Sequence, residues 1–186
     1  MPVGLLPVFN ENRYREAAMA KLVWQSAREH ARDVLDNYWD GRFPVRIVAI
    51  SKAMGIMPYQ ASLSSGISGM IVKKPNEQAR AYVEKTETDT RRRFTLAHEL
   101  GHYVERVDVS DDNDFSFVER REPGQYDLHE FYADEFAGAL LMPEEPFMDM
   151  LDEGSSLIDI AARFGVSLDA ARKRRERLKK NPPQKD

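Results

Sequence analysis

The chain has 186 residues, with 27 basic and 31 acidic side chains and a formal charge of −4. Its 42% hydrophobic content describes a globular chain of about one domain, long enough to bury a core unaided. Cysteine is absent, which excludes a disulfide scaffold, a cysteine-bearing zinc site, an iron–sulfur cluster and a cysteine nucleophile, and fits a reducing compartment.

In chain order, the opening MPVGLLPVFNENRYRE lacks the charged start and apolar length of a secretion signal. No run of about 18 apolar residues is present to span a bilayer. A soluble cytoplasmic protein is the expectation. Residues 15–38 read as a helix, with Ala18, Leu22, Ala27 and Leu35 at roughly helical spacing. Gly41 and Pro44 break it. Val45 to Ile50 is short and mostly apolar, and Ser51 to Gly55 reads as a helix end with a glycine cap. Residues 68–72 and 79–83 are strand candidates, and the turn chemistry of Lys74-Pro75-Asn76-Glu77 between them makes a hairpin. Thr88 to Val104 predicts a long helix. Residues 105–126, with seven acids against three arginines, read as an irregular acidic loop. A second helix begins near Asp127 and stops before Pro143. Two or three short helices follow, and Asn181 to Asp186 reads as a frayed tail.

The strongest chemical signal is His98-Glu99-Leu100-Gly101-His102. On a helix, positions i and i+4 share a face, so His98 and His102 can present ring nitrogens to one ion. Glu99 projects beside them, within reach of a water's proton. Four histidines and sixteen glutamates scattered at random would give this pattern about 0.007 times in a chain of this length, so chance is a poor explanation. Phe94, Leu96, Ala97, Leu100 and Val104 mark the helix as packed inside the domain. Two histidines and a glutamate buried there cost free energy unless something satisfies them.

A catalytic zinc takes three protein ligands and keeps a fourth position open. No third histidine stands at the metzincin spacing. On the second predicted helix, Glu130 and Asp134 are four apart and share a face, and Glu130 reads as the third ligand. Asp134 then accepts the free ring N–H of one histidine and fixes its tautomer. Two competing readings exist. Asp127-x-x-Glu130 also has the form of a capping box, and His129 is a rival ligand, although it points about 100° away from Glu130. His129 and one of Tyr103, Tyr126 and Tyr132 are candidates for stabilising a transition state.

RRRFTLAHELGH followed by HEFYADEFAGALLMP resembles the ImmA/IrrE family of bacterial and phage zinc metallo-endopeptidases. Glu130, Ala133, Asp134, Phe136, Ala137, Leu141, Met142 and Pro143 occupy the positions of that family's second motif, with Asp134 where asparagine is common. IAARFGVSLDAARKRRERL resembles the family's C-terminal helices. The resemblance covers roughly 45–178, and residues 1–40 carry no signature of it. It implies an α+β, zincin-like metalloprotease core, mostly helical, with a small antiparallel sheet packed on the HExxH helix. Zn²⁺ on His98, His102 and Glu130, with Glu99 as general base, is the expected chemistry. The expected partner is a protein substrate, often a helix-turn-helix repressor, and the acidic loop is a candidate for selecting it. The expected organisation is an N-terminal helical segment at 1–44, the protease core at 45–145, a C-terminal helical subdomain at 146–180 and a tail at 181–186.

Residues 163–180 carry eight basic side chains against Asp169 and Glu176. With the Ala161-x-x-x-Gly165 spacing, this suggests a helix-turn-helix with a basic second helix. The preferred reading is a helical hairpin capping the core, its charged face in solvent. DNA contact through 163–180, in a metal-containing binding module without protease activity, is the alternative. Arg91, Arg92 and Arg93 precede the metal helix as surface or ion-pair residues, since cations oppose the dipole at a helix start.

Overall fold

The computed structural model describes residues 11–109, 114–120 and 127–182. In chain order the elements are α1 (Glu11–Tyr38), α2 (Ile47–Ala53), β1 (Ile56–Ala61), β2 (Ile67–Lys73), β3 (Ala79–Glu84), α3 (Asp89–Val104), β4 (Phe115–Arg120), α4 (Leu128–Leu141), α5 (Glu144–Asp152), α6 (Leu157–Phe164) and α7 (Leu168–Lys180). A single π-type turn over Glu105–Val109 continues α3. The architecture is α+β, mostly helical, with one small sheet. No helix among the described residues is long and apolar enough to cross a membrane.

Side-chain caps explain four of the seven helix starts among the described residues. Thr88 caps α3 by accepting from Arg91 N, and Asp127 caps α4 by accepting from both His129 N and Glu130 N. Ser156 and Ser167 cap α6 and α7 in the same way. Each such cap typically contributes about 1 kcal/mol. Gly165, in the left-handed region at φ +63°, ends α6, and a Cβ there would come within 2.9 Å of the Pro44 ring.

The sheet has the order β1-β3-β2-β4. The expected hairpin is present: β2 and β3 are antiparallel, with Met70 opposite Tyr82 and Ile71 opposite Ala81. β4 adds to β2, also antiparallel. β1 runs parallel to β3, so the sheet is mixed rather than wholly antiparallel. β1 has no counterpart among the strand candidates, and it carries Pro58, which disfavours a strand interior. It is an edge strand, where a missing N–H is tolerated. β4 corrects the reading of 105–126 as one irregular loop. Phe115, Phe117 and Val118 give it strand character that the surrounding acids obscure. Residues 110–113 and 121–126 lie outside the described residues.

α3 packs against β2 and β3 on one side and against α4 on the other. α1 lies chiefly along α4, with Ala27, Ala31, Val34 and Leu35 buried. The side chains of Ala18 and Leu22 are outside the described set. Phe147 of α5 and Phe164 of α6 are fully buried with ring centroids 5.8 Å apart, and Phe43 meets Phe164 edge-on. Burying each of these rings stabilises the fold by about 1.5–3 kcal/mol. One continuous apolar cluster therefore runs from α1 through α4 to Leu178 of α7. The C-terminal four residues lie outside the described residues, whereas the Asn181 carbonyl accepts from Arg28 at 2.8 Å.

Candidate metal centre

α3 and α4 supply the site, and two small residues let them meet. A Cβ on Gly101 would lie 2.9 Å from the Ala133 Cα and 3.2 Å from its carbonyl oxygen. With Gly101 on α3 and Ala133 on α4, the backbones approach closely enough for a side chain on the first turn of α4 to reach the α3 histidines.

That side chain is Glu130. Its Oε2 is 3.3 Å from His98 Nε2 and its Oε1 is 3.5 Å from His102 Nε2. The two Nε2 atoms are 3.0 Å apart. Both histidines are buried and Glu130 is about one-third exposed. These three residues form a group able to hold a metal ion. The fit can be tested on the donor spacing. Two bonds of about 2.0–2.1 Å meeting at a tetrahedral angle put their donors about 3.3–3.4 Å apart, and the observed 3.0, 3.3 and 3.5 Å bracket that value. Two imidazole lone pairs and a carboxylate facing one another repel unless a cation or a proton lies between them. The residues fit a cation.

The electrostatics favour the ligand forms. Burial pushes the His102 imidazolium toward deprotonation, partly opposed by its hydrogen bond to Glu130. Hydrogen bonds from His102 and then His98 hold the Glu130 carboxyl well below the ordinary carboxylate range, against the effect of burial. His98 Nδ1 lies 3.2 Å from Asp134 Oδ1; in the tautomer with its proton on Nδ1 the ring donates to that carboxylate, and its Nε2 lone pair faces Glu130 in place of an N–H, the form a cation requires. The capping-box alternative resolves into two roles. Asp127 makes the cap through the Glu130 backbone N–H, at 3.0 Å, while the Glu130 carboxylate goes to the histidines.

Glu99 is fully buried. One residue on from His98, it is turned toward β2, where a Cβ on Gly69 would come within 2.6 Å of Glu99 Oε1 and 2.5 Å of Thr95 Cγ2. The bare backbone at Gly69 makes room for the carboxylate. Sequence reading saw Gly69 only as part of a strand.

Residues 65–176 match the model of the family Peptidase_M78, the IrrE N-terminal-like domain. That stretch is more than half of the chain. The chain belongs to the Peptidase_M78 family. None of the curated proteins matches it. The match implies a metallopeptidase, and His98, His102 and Glu130, the group able to hold a metal ion, lie within the matched stretch.

The other candidates fall elsewhere. His129 is half exposed, with Nδ1 2.9 Å from Glu105 Oε1, outside the metal group. Tyr132 is buried and its hydroxyl meets His30 Nδ1 at 2.7 Å. Tyr103 packs against Phe115, and Tyr126 lies outside the described residues. Arg91 pairs with Glu87, and Arg92 with Asp89, as a surface reading expects. Arg93 is half-buried, donating to the Val45 and Gly165 carbonyls and so tying α3 to the C-terminal hairpin.

A cleft of about 900 Å³ opens between α3, α4 and α7, with His98 and Glu130 among its lining and Phe94 and Lys173 on its walls. The charge distribution of α7 corrects the picture of a basic face left wholly in solvent. Arg174 is buried, and burial pushes its guanidinium down to about 10 although Glu135 opposes this. Glu135, itself buried, accepts from Arg28 at 2.6 Å and from Arg174 at 3.2 Å, and pairs with Arg177 at 3.2 Å. Sequence reading missed this cluster. The signal was present: Glu135 stands amid Tyr132, Ala133, Phe136 and Ala137, and a carboxylate in so apolar a helix needs cations from elsewhere.

Proposed function

We propose that the protein is a zinc-dependent endopeptidase that cuts a peptide bond in a regulatory protein, a helix-turn-helix repressor being the type its ImmA/IrrE resemblance implies. The observation that carries the reading is the triangle of His98, His102 and Glu130 with 3.0–3.5 Å edges; Glu99, next to His98 in the chain, is buried. Two imidazoles and one carboxylate are a donor set that suits zinc. When bound, zinc supplies Lewis acidity, polarising a carbonyl and lowering the pKa of a water toward about 7.

The protein's residues do the rest. Asp134 holds the His98 tautomer. Glu99, in a water-poor setting against Gly69, accepts the proton of the attacking water at a carboxylate oxygen and returns it to the leaving amine. The cleft between α3, α4 and α7 receives the polypeptide. Glu99→Gln tests the assignment, because glutamine keeps the shape and cannot take the proton. Zinc content should be retained, and cleavage of a candidate repressor, followed by mass analysis of the fragments, should slow by at least about 100-fold. Cleavage at the wild-type rate would rule out Glu99 as the base.

A further inference from the structure

His98 is connected, through the Asp134 carboxylate, to the C-terminal helix. His98 Nδ1 meets Asp134 Oδ1 at 3.2 Å, and the other oxygen of the same carboxylate, Oδ2, accepts from Arg177 of α7 at 3.3 Å. The second guanidinium nitrogen of Arg177 reaches Glu135 Oε2 at 3.2 Å. Glu135 is anchored in turn by Arg28 of α1 and Arg174 of α7. Arg177 thus spans two neighbouring carboxylates of α4, one facing the metal group and one facing the buried arginine cluster. The Arg177 guanidinium also lies 5.5 Å from the Phe131 ring centroid, which further limits its movement.

We propose that Arg177 is a positioning residue of the metal centre. It fixes the rotation of the Asp134 carboxylate, and through it the tautomer and ring plane of His98, so that docking of α7 sets metal affinity. The inference rests on the metal-centre reading above. It makes the C-terminal helical segment a working part of the site rather than an appended subdomain. A planar guanidinium can serve both carboxylates at once with its geometry fixed, which a lysine ammonium does less well.

The test is zinc affinity, measured by chelator competition on full-length protein, with thermal unfolding of the metal-free form alongside. Outer partners that touch a ligand directly are worth about 10–100-fold in metal affinity. Arg177 acts one step further out and is about one-quarter exposed, so Arg177→Met should weaken zinc by about 3–10-fold. In an Asp134→Ala background the same substitution should change affinity by less than about 2-fold, because the route to His98 is already cut. Arg174→Met, which removes a Glu135 partner without touching Asp134, should lower the unfolding temperature and leave zinc affinity within about 2-fold. Should Arg177→Met fail to fold, Arg177→Lys keeps the charge beside Glu135, and a loss of about 2-fold or more is expected there. Unchanged affinity in the folded Arg177 variant, or an equal loss in the Asp134→Ala background, overturns the proposal while tight wild-type binding leaves the metal reading standing. A wild-type protein that takes up no zinc overturns both.

Discussion

Gly101→Ala probes whether the close approach of α3 and α4 makes the metal group. A Cβ at 101 would sit 2.9 Å from the Ala133 Cα, whereas ordinary contact begins at 3.4 Å. The helices must therefore separate locally by at least about 0.5 Å, because the opposing atom is backbone and cannot rotate away. Donor positions in a metal site are tolerant to about ±0.2 Å. A shift of 0.5 Å carries Glu130 out of that tolerance relative to His98 and His102. Stability is subject to two opposed effects: alanine gains about 1 kcal/mol of helix propensity over glycine, and overpacking costs about 1–3 kcal/mol. The metal-free protein should lose about 0–2 kcal/mol, which lowers its unfolding temperature by at most about 8 °C for a chain of this size. Zinc affinity should fall by about 10-fold or more, the range for changes that displace a ligand's support. Chelator competition and thermal unfolding read the two quantities separately. A variant that is stabilised by about 1 kcal/mol and binds zinc as tightly as the wild type would refute the reasoning, since only propensity would then have changed.

Glu130→Ala should abolish tight zinc binding while α4 keeps its Asp127 cap, so helix content by circular dichroism should be nearly unchanged; loss of helix with zinc affinity preserved would restore the capping-box reading. Glu135→Ala leaves Arg28 and Arg174, 6% and 2% exposed, without their shared carboxylate, and should destabilise the fold by about 3–5 kcal/mol in urea titration; a loss below about 1 kcal/mol would show that the cluster contributes little. The metal-free protein should lose stability on acidification. Burial depresses the His102 pKa, so below about 6.5 the unfolded chain takes up a proton that the folded chain resists. Glu130 acts in the same direction lower down: its contribution is complete above about 4.5 and is lost as the pH falls through its depressed pKa. Urea midpoints at pH 7.5, 6.5 and 5.5 in chelator check the sign, and a midpoint that rises with acid would refute it.

Features that depend on spacing within one helix were legible before any fold was known. His98 and His102 share a face because four residues nearly complete a turn, and Glu130 and Asp134 do so for the same reason. Thr88, Asp127, Ser156 and Ser167 mark helix starts through bonds to their own neighbours. The family pattern resides in those same short stretches, which is why the site residues were legible. Features that depend on register between distant segments emerge from the packed fold. It placed Gly101 against Ala133 and Gly69 against Glu99. It paired β1 in parallel with β3, and it gathered Arg28, Arg174 and Arg177 around Glu135, the first of these from 107 residues away. Helix periodicity and capping act over about four residues. The contact of one element with another depends on shape and charge that no local pattern records, so Glu130 and Asp134 were readable on their own helix, while Gly69, Gly101 and the arginines around Glu135 were not.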